Sequence, residues 1–324
     1  MKSPGSVHCA DHIAHLSWNP EGTQFLAVPA SGPVLVVDCA AEKTGEMPGH
    51  AMGNGFCDWF CGEPATCGFD GAVRFGGREF KPGRGVVERV KTSPDGKFLA
   101  ASQGKVLHVF DAAGGSEKSI RQMPVPAADF AWNPTKPGEI ATAGAGGALL
   151  WRLGEAEPFA RFDWGGACLL VDWSGDGRWI ATGDQTPSVH VYDVPRDHPL
   201  HIQGFESKVR AQAFSPDGKK LATAGSPVVT VWPCTGKKGP EGAKPIQVDG
   251  SETEVAAIAF SPATGQMATG DGAGTLLVVT FESGQLRRKR ARLQAGISAL
   301  AWNPVKPLLA VGFETGEAML LSLE

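Results

Sequence analysis

The sequence predicts an all-β fold, a closed β-propeller built from four-stranded antiparallel blades. Two observations carry this prediction: one turn signature recurs eight times, and short alternating strands fill the intervals between its copies. The residues that precede the turns are Trp18, Phe60, Thr92, Trp132, Trp173, Phe214, Phe260 and Trp302. Their separations are 42, 32, 40, 41, 41, 46 and 42 residues. A period near forty with Gly and Pro in the turns is typical of small sheets repeated around a ring.

Each repeat unit reads as four strands, which we label a to d from the centre of the ring outward. In the sixth unit the alternating run 209–214 meets a Ser-Pro-Asp-Gly turn at 215–218, and KLATAG, VVTVW and KPIQV follow as further strands. Proline fixes the first central position of such a turn and glycine is easily accommodated after it. Eight turn signatures predict eight blades. The second unit, residues 55–85, is short, and seven blades remain if it is an inserted loop.

Residues 1–324 are predicted to form one propeller. The last unit ends with EAMLLSL and lacks a strand d, so residues 7–12 are predicted to supply that strand and cover the exposed edge. Strand a is rich in alanine, which predicts small side chains beside the central channel. We expect the repeated Trp18, Trp132, Trp173 and Trp302 to pack between blades, because burial of a large ring contributes several kcal/mol.

The repeat unit resembles the WD40 family over almost the whole chain. Val37-Asp38, Phe110-Asp111 and Tyr192-Asp193 stand where that family ends strand c with Trp-Asp, and the run 221–225 resembles its strand b. The chain departs from the family pattern because the Gly-His pair that precedes strand a occurs only at Gly49-His50. The His-Asp-Ser-Trp hydrogen-bond network of the family is therefore predicted to be mostly absent, and apolar packing is expected to stabilise the blades.

Composition and charge predict a globular protein of the cytoplasm. The chain is 42% hydrophobic, carries a net charge of -4 and has no apolar amino-terminal segment or run long enough to span a membrane. Seven cysteines are expected to be free thiols. The basic run Leu286–Arg292 falls on a predicted outer strand, where positive charge discourages edge pairing. Since the chain is slightly acidic, nucleic-acid binding is disfavoured. A closed propeller is expected to be monomeric.

Catalytic and metal-binding patterns are weak. No GxSxG, HExxH or Walker motif occurs, and the glycine-rich run 143–147 reads as a turn between strands b and c. The amino-terminal cluster consists of His8, Cys9, Asp11, His12 and His15. On a strand, His8 and His12 would lie about 13 Å apart, too far to bind one ion together. His108 and His190 occupy equivalent positions of strand c, which favours a structural role. No catalytic residue, metal ligand or cofactor is predicted.

The main functional hypothesis is a non-enzymatic scaffold for protein-protein interaction. The WD40 resemblance implies that a protein or peptide binds the face made by the d–a and b–c loops. The loop residues predicted to form the binding site are Met52, Phe56, Asp70, Arg84, Gln103, Trp164, Asp184, Phe205, Lys208, Asp271, Phe313 and Glu314. One alternative is a metal-binding or metal-responsive accessory protein that uses the amino-terminal cluster. A propeller hydrolase or lyase is a second alternative, disfavoured because alanines are expected at the channel.

Overall fold

A computed structural model of the chain describes residues 1–112, 120, 123–282 and 285–323. Its regular elements are strands, apart from one turn of 3-10 helix at Val194–Arg196. The amino-terminal strand and the first two sheets comprise β1 (Lys2–His8), β2 (Ile13–Trp18), β3 (Gln24–Pro29), β4 (Val34–Asp38), β5 (Lys43–Met47), β6 (Asp58–Phe60), β7 (Glu63–Cys67), β8 (Val73–Phe75) and β9 (Arg78–Phe80). No helix in this described part of the chain has the length and apolar character needed to cross a membrane.

The middle of the chain forms a three-stranded and a six-stranded sheet. Their strands are β10 (Arg89–Thr92), β11 (Phe98–Gln103), β12 (Val106–Asp111), β13 (Asp129–Trp132), β14 (Glu139–Arg152), β15 (Ala160–Trp173), β16 (Trp179–Asp184), β17 (Ser188–Asp193) and β18 (His198–Gln203). The four-strand pattern predicts an outer strand for the third unit at residues 118–123, KSIRQM, and most of this segment lies outside the described residues. Its described residue Ile120 forms a bridge with Leu107 of β12, which is where a fourth strand would pair.

The carboxyl-terminal third forms three sheets. Their strands are β19 (Ala211–Phe214), β20 (Lys220–Ala224), β21 (Val229–Pro233), β22 (Ile246–Val248), β23 (Val255–Phe260), β24 (Met267–Asp271), β25 (Thr275–Glu282), β26 (Gln285–Arg292), β27 (Ile297–Trp302), β28 (Leu308–Phe313) and β29 (Glu317–Ser322). The strands of β2–β5, β6–β9, β19–β22 and β23–β26 follow chain order in each sheet. The fold is thus an all-β propeller of antiparallel sheets, as predicted.

Counted by sheets, the propeller has seven blades, which is the alternative number and not the predicted eight. The reason is not the short second unit, because β6–β9 form a true four-stranded sheet. Instead, the fourth and fifth units share one sheet. β14 turns back on itself at Gly146 and Gly147, and β15 runs without a break from strand d of the fourth unit into strand a of the fifth. Eight inner strands of the described chain therefore line the channel, although the sheets number seven.

The amino-terminal strand lies beside the last sheet. β1 pairs antiparallel with β29, with Lys2 opposite Ser322 and Val7 opposite Ala318. Of the predicted segment 7–12, only Val7 and His8 belong to this strand, which begins five residues earlier. The pairing ends at His8 opposite Glu317, and the Cys9 N–H still donates to the Gly316 carbonyl at 2.8 Å. Beyond it, the Asp11 carboxylate accepts hydrogen bonds from the backbone of His12 at 2.8 Å and from Ser31 at 2.7 Å.

Neighbouring inner strands are linked by tryptophan side chains. The predicted packing role of Trp18, Trp132, Trp173 and Trp302 is confirmed, since all four are buried. Each indole N–H donates to a backbone carbonyl of the preceding inner strand, and Trp59 does the same: the acceptors are Ala301 for Trp18, Ser17 for Trp59, Lys91 for Trp132, Ala131 for Trp173 and Ala259 for Trp302. A buried indole satisfied in this way adds a hydrogen bond to its apolar contact.

Candidate interaction surface

The residues predicted to bind a partner differ widely in exposure. Met52, Arg84, Lys208 and Glu314 are exposed, and Phe56, Asp70, Trp164 and Phe205 are half-buried. Gln103, Asp184, Asp271 and Phe313 are buried and do not contribute to an open surface, which corrects the prediction for these four. Each of the four is the last residue of a strand b rather than a loop residue, and its side chain turns inward.

The buried side chains have structural partners. Asp271 is 0% exposed and accepts hydrogen bonds from the backbone N–H groups of Thr275 and Glu252, both at 2.7 Å. Burial opposes ionisation of Asp271, yet these hydrogen bonds hold its pKa below the usual value. Gln103 donates to the Gly85 carbonyl at 2.7 Å, and Phe313 belongs to the core between β24 and β28. These side chains therefore hold the adjacent loops in place and do not form the binding surface that the sequence predicts.

One hydrogen-bond network holds the loops around the second sheet. The His50 ring lies 2.9 Å from a carboxylate oxygen of Asp70 through Nδ1 and 3.1 Å from the Thr66 hydroxyl through Nε2. Burial lowers the pKa of His50, so its neutral imidazole donates to Asp70 and accepts from Thr66. Burial opposes ionisation of Asp70, but the hydrogen bonds from His50 and from the backbone of Ala72 and Ala51 lower its pKa to about 2. This loop conformation is therefore fixed before any partner binds.

Three large apolar side chains are exposed in the loops next to this network. Met52 is 72% exposed, Val86 41% and Phe69 40%, and they are three of the six exposed large apolar residues in the described chain. Backbone hydrogen bonds join their loops: Phe69 donates to Gly53 at 3.0 Å and Val87 donates to Gly68 at 3.1 Å. We call Met52, Phe69 and Val86 the loop-face patch. Sequence reasoning selected Met52 and missed the other two residues.

Charged side chains surround the loop-face patch. Arg84 and Glu88 are exposed in the loop that carries Val86. Arg74 braces the loop before Met52, because its guanidinium donates to the Pro48 carbonyl at 3.2 Å and lies 3.6 Å from Asp70. A rigid apolar centre with a charged rim has the anatomy of a protein-protein interface.

The central channel is more polar than the alanine pattern predicted. A cavity of about 770 Å³ is lined by His15, Phe56, Arg89, Lys91 and Gln212, among others. The expectation of small side chains is therefore wrong for this half of the ring. Every second residue of an inner strand faces the channel, and only some of these positions carry alanine. The remaining channel wall combines small and apolar residues such as Ala256, Ile258 and Ala299 with the charged side chains of Asp172 and Arg210.

The charges in the channel are paired with one another. Lys91 Nζ lies 3.0 Å and Arg89 Nε 3.5 Å from the same oxygen of Asp129. The Arg89 guanidinium also sits 4.0 Å from the centre of the Phe56 ring. Burial, together with the positive charges of Arg89 and Lys91, lowers the pKa of His15 to about 3, so this ring is neutral near pH 7.

The amino-terminal cluster does not converge. His8 lies on β1, His12 pairs with Asp11 and His15 faces the channel. In the part of the chain that the structure describes, only Asp184, His190 and His201 form a group of three with metal-ligating atoms close together. All seven cysteines are free, as expected.

The comparison with known families matches one repeat. The family described as WD domain, G-beta repeat, matches residues 198–232, which contain β18, β19, β20 and most of β21 in the order of strands d, a, b and c. The matched unit and the ring of small antiparallel sheets agree. The chain is a WD40-type β-propeller. No curated protein matches it.

In this WD40-type propeller the hydrogen-bond network of the family is divided among sheets. In the second sheet, His50, Asp70 and Thr66 take the places of the family's His, Asp and Ser, and Phe75 stands on strand c where the family has Trp. The fourth and sixth units hold only the strand b and strand c members: Trp151 donates to Thr142 at 2.9 Å and Trp232 donates to Thr223 at 3.0 Å. Gly49-His50 thus marks the sheet beneath the loop-face patch.

Proposed function

We propose that this WD40-type propeller is a non-enzymatic scaffold that binds a protein or peptide through the loop-face patch. The observation that carries the proposal is the exposure of Met52, Phe69 and Val86 on backbone that His50, Asp70 and Thr66 hold in place. WD40 propellers generally act as interaction scaffolds, and this patch is where the present ring offers apolar area. The free thiols of all seven cysteines support action in the cytoplasm.

Burial of the patch would supply the central contact of an interface. Apolar surface removed from water contributes about 25 cal/mol per Å², and a few well-packed apolar residues carry most of the binding energy in a typical complex. Rigid loops reduce the entropy that is lost on binding. The exposed charges of Arg84 and Glu88 surround this centre and would orient the partner.

The test compares capture of partners from native lysate by three forms of the protein. The patch variant carries Met52→Ser, Phe69→Ser and Val86→Ser, and the control carries Ile246→Ser and Val305→Ser, which change exposed apolar residues outside the patch. We expect wild type and control to retain one partner that the patch variant loses. The purified partner should then bind the patch variant at least about tenfold more weakly. Equal binding to all three forms would refute the loop-face assignment.

A further inference from the structure

Three potential ligand residues lie together on the fifth repeat unit. Asp184 ends β16, His190 is in the middle of β17 and His201 is on β18. His190 and His201 are directly opposite each other in the β17–β18 pairing, so both side chains point to the same side of the sheet. Their rings are stacked with centroids 4.3 Å apart and an angle of 6° between planes. Nδ1 of His190 lies 2.8 Å from Asp184 Oδ2.

The ligand atoms of the three residues are close enough for one ion. One oxygen or nitrogen from each residue lies within 4.8 Å of the others. Two ligands that are each about 2.1 Å from an ion can be at most about 4.2 Å apart, so the three atoms must move closer together on binding. Because the lone pair of an imidazole nitrogen lies in the ring plane, the exposed His201 ring must also rotate out of its stacked position to share an ion with His190. Asp184 and His190 are buried, whereas His201 is exposed and leaves the site open to solvent.

The buried carboxylate is held in position by its own sheet. Asp184 accepts hydrogen bonds from Ser188 Oγ at 2.7 Å, Thr182 Oγ1 at 3.3 Å and Cys168 Sγ at 3.3 Å. The Trp164 ring from the neighbouring unit covers the histidines, 4.3 Å from the His190 ring and 4.8 Å from the His201 ring. Oriented ligands beside an apolar wall are features of protein metal sites.

We propose that Asp184, His190 and His201 form a binding site for a divalent transition-metal ion, with Zn²⁺ as the probe. Two imidazoles and one carboxylate suit Zn²⁺, whereas Mg²⁺ and Ca²⁺ prefer sites made of oxygen ligands. Three protein ligands leave a fourth position for water or for a side chain of a bound partner. The site is independent of the loop-face patch and of the amino-terminal histidines.

The test is a titration of metal-free protein without an affinity tag. Zn²⁺ is added in competition with a chromophoric chelator, and the stoichiometry and Kd are measured for wild type, His201→Ala and His198→Ala. His198 is also exposed on β18 but lies outside the group of three, so it is the matched control. We expect one Zn²⁺ per chain, binding at least about tenfold weaker in His201→Ala, and no change in His198→Ala. A double variant, His8→Ala with His12→Ala, should also bind like wild type.

The outcomes separate the site from general histidine binding. Absence of Zn²⁺ binding by wild type, or equal affinity of wild type and His201→Ala, would overturn the assignment. Equal weakening by His198→Ala would show that Zn²⁺ binds exposed histidines without a defined site, and would overturn it as well. Because His201 is exposed, its variant should keep the melting temperature of wild type. The absorption bands of bound Co²⁺ provide a second readout of coordination by nitrogen and oxygen.

Discussion

At the scale of single residues, three aspartates connect neighbouring inner strands. Asp58 accepts from Ser17 Oγ at 3.1 Å and from the Thr92 backbone at 2.8 Å, one strand on each side. Asp129 links Lys91 to the Val171 backbone in the same manner. Asp172 lines the channel, is half-buried and accepts a hydrogen bond from the Phe214 backbone on the next inner strand, and burial raises its pKa to about 6. Carboxyl groups thus connect neighbouring inner strands around the channel.

Asp172 should make stability depend on pH. Its raised pKa means that the folded chain keeps a proton at pH values where the unfolded chain has lost it, so its contribution to the free energy of unfolding falls as the pH rises from about 4 to about 6. The substitution Asp172→Asn removes this pH-dependent contribution to the free energy of unfolding. We expect the variant to gain up to about 3 kcal/mol relative to wild type over that range, measured by urea unfolding. Asp163→Asn, an exposed change on the same strand, should not change the pH dependence. A constant difference between wild type and Asp172→Asn would contradict this assignment.

For individual residues, a position near the end of a strand could be predicted, but the direction of the side chain could not. Asp271 turns inward because its partner, the Glu252 backbone, lies 19 positions away, and no local pattern reveals that contact. Phe313 is the last residue of β28 and is buried, whereas Phe69 follows the end of β7 by two positions and is exposed. His190 reads in the sequence as a repeat position of strand c. Its neighbour across the sheet, His201, can be recognised only from the pairing of β17 with β18, so the sequence alone does not predict the metal site.

At the scale of elements, strand positions followed from turn spacing. The Ser-Pro-Asp-Gly turns end where expected because Ser93 and Ser215 donate to Asp95 and Asp217, and each serine also accepts from the backbone of the next strand. Sheet boundaries were less predictable. Nothing in the run 143–147 shows that β14 and β15 stay paired across it, since that pairing joins Ala145 to Ala167.

Removal of β1 should destabilise the last sheet. A chain that begins at Cys9 loses every β1–β29 pair and exposes the β29 edge. We expect the melting temperature to fall by on the order of 5 °C, with added self-association visible in size-exclusion chromatography. The matched control begins at Lys2, which keeps all paired residues. Equal melting temperatures for the two chains would show that β1 does not close the ring.

At the scale of the whole molecule, contacts between the first and last inner strands complete the ring. Trp18 donates to Ala301 at 3.0 Å, Ser298 Oγ donates to Ile13 at 2.6 Å and Asn303 donates to Gly22 at 2.8 Å. These contacts join residues more than 280 positions apart. The first and last units are therefore joined by side-chain hydrogen bonds, although no peptide bond connects them.

A circular permutant should retain the fold. Because Lys2 is opposite Ser322, a short glycine-containing linker can join the two ends. New termini between the exposed residues Ala156 and Glu157 interrupt a turn and no strand. We expect a free energy of unfolding within about 1 kcal/mol of the parent chain, measured by urea unfolding. A second permutant, opened between Cys168 and Leu169, interrupts β15 and should not fold. If the permutant opened in the turn is as unstable as this one, ring continuity does not determine stability.

The unbroken course of β15 also has a mechanical consequence. This strand begins at the rim, carries Trp164 beside the two stacked histidines and reaches the channel wall at Asp172. Other neighbouring units are joined by loops, which can absorb a displacement. Here a shift of Trp164 would be passed along one continuous strand to the channel, so we expect the fourth and fifth units to move together.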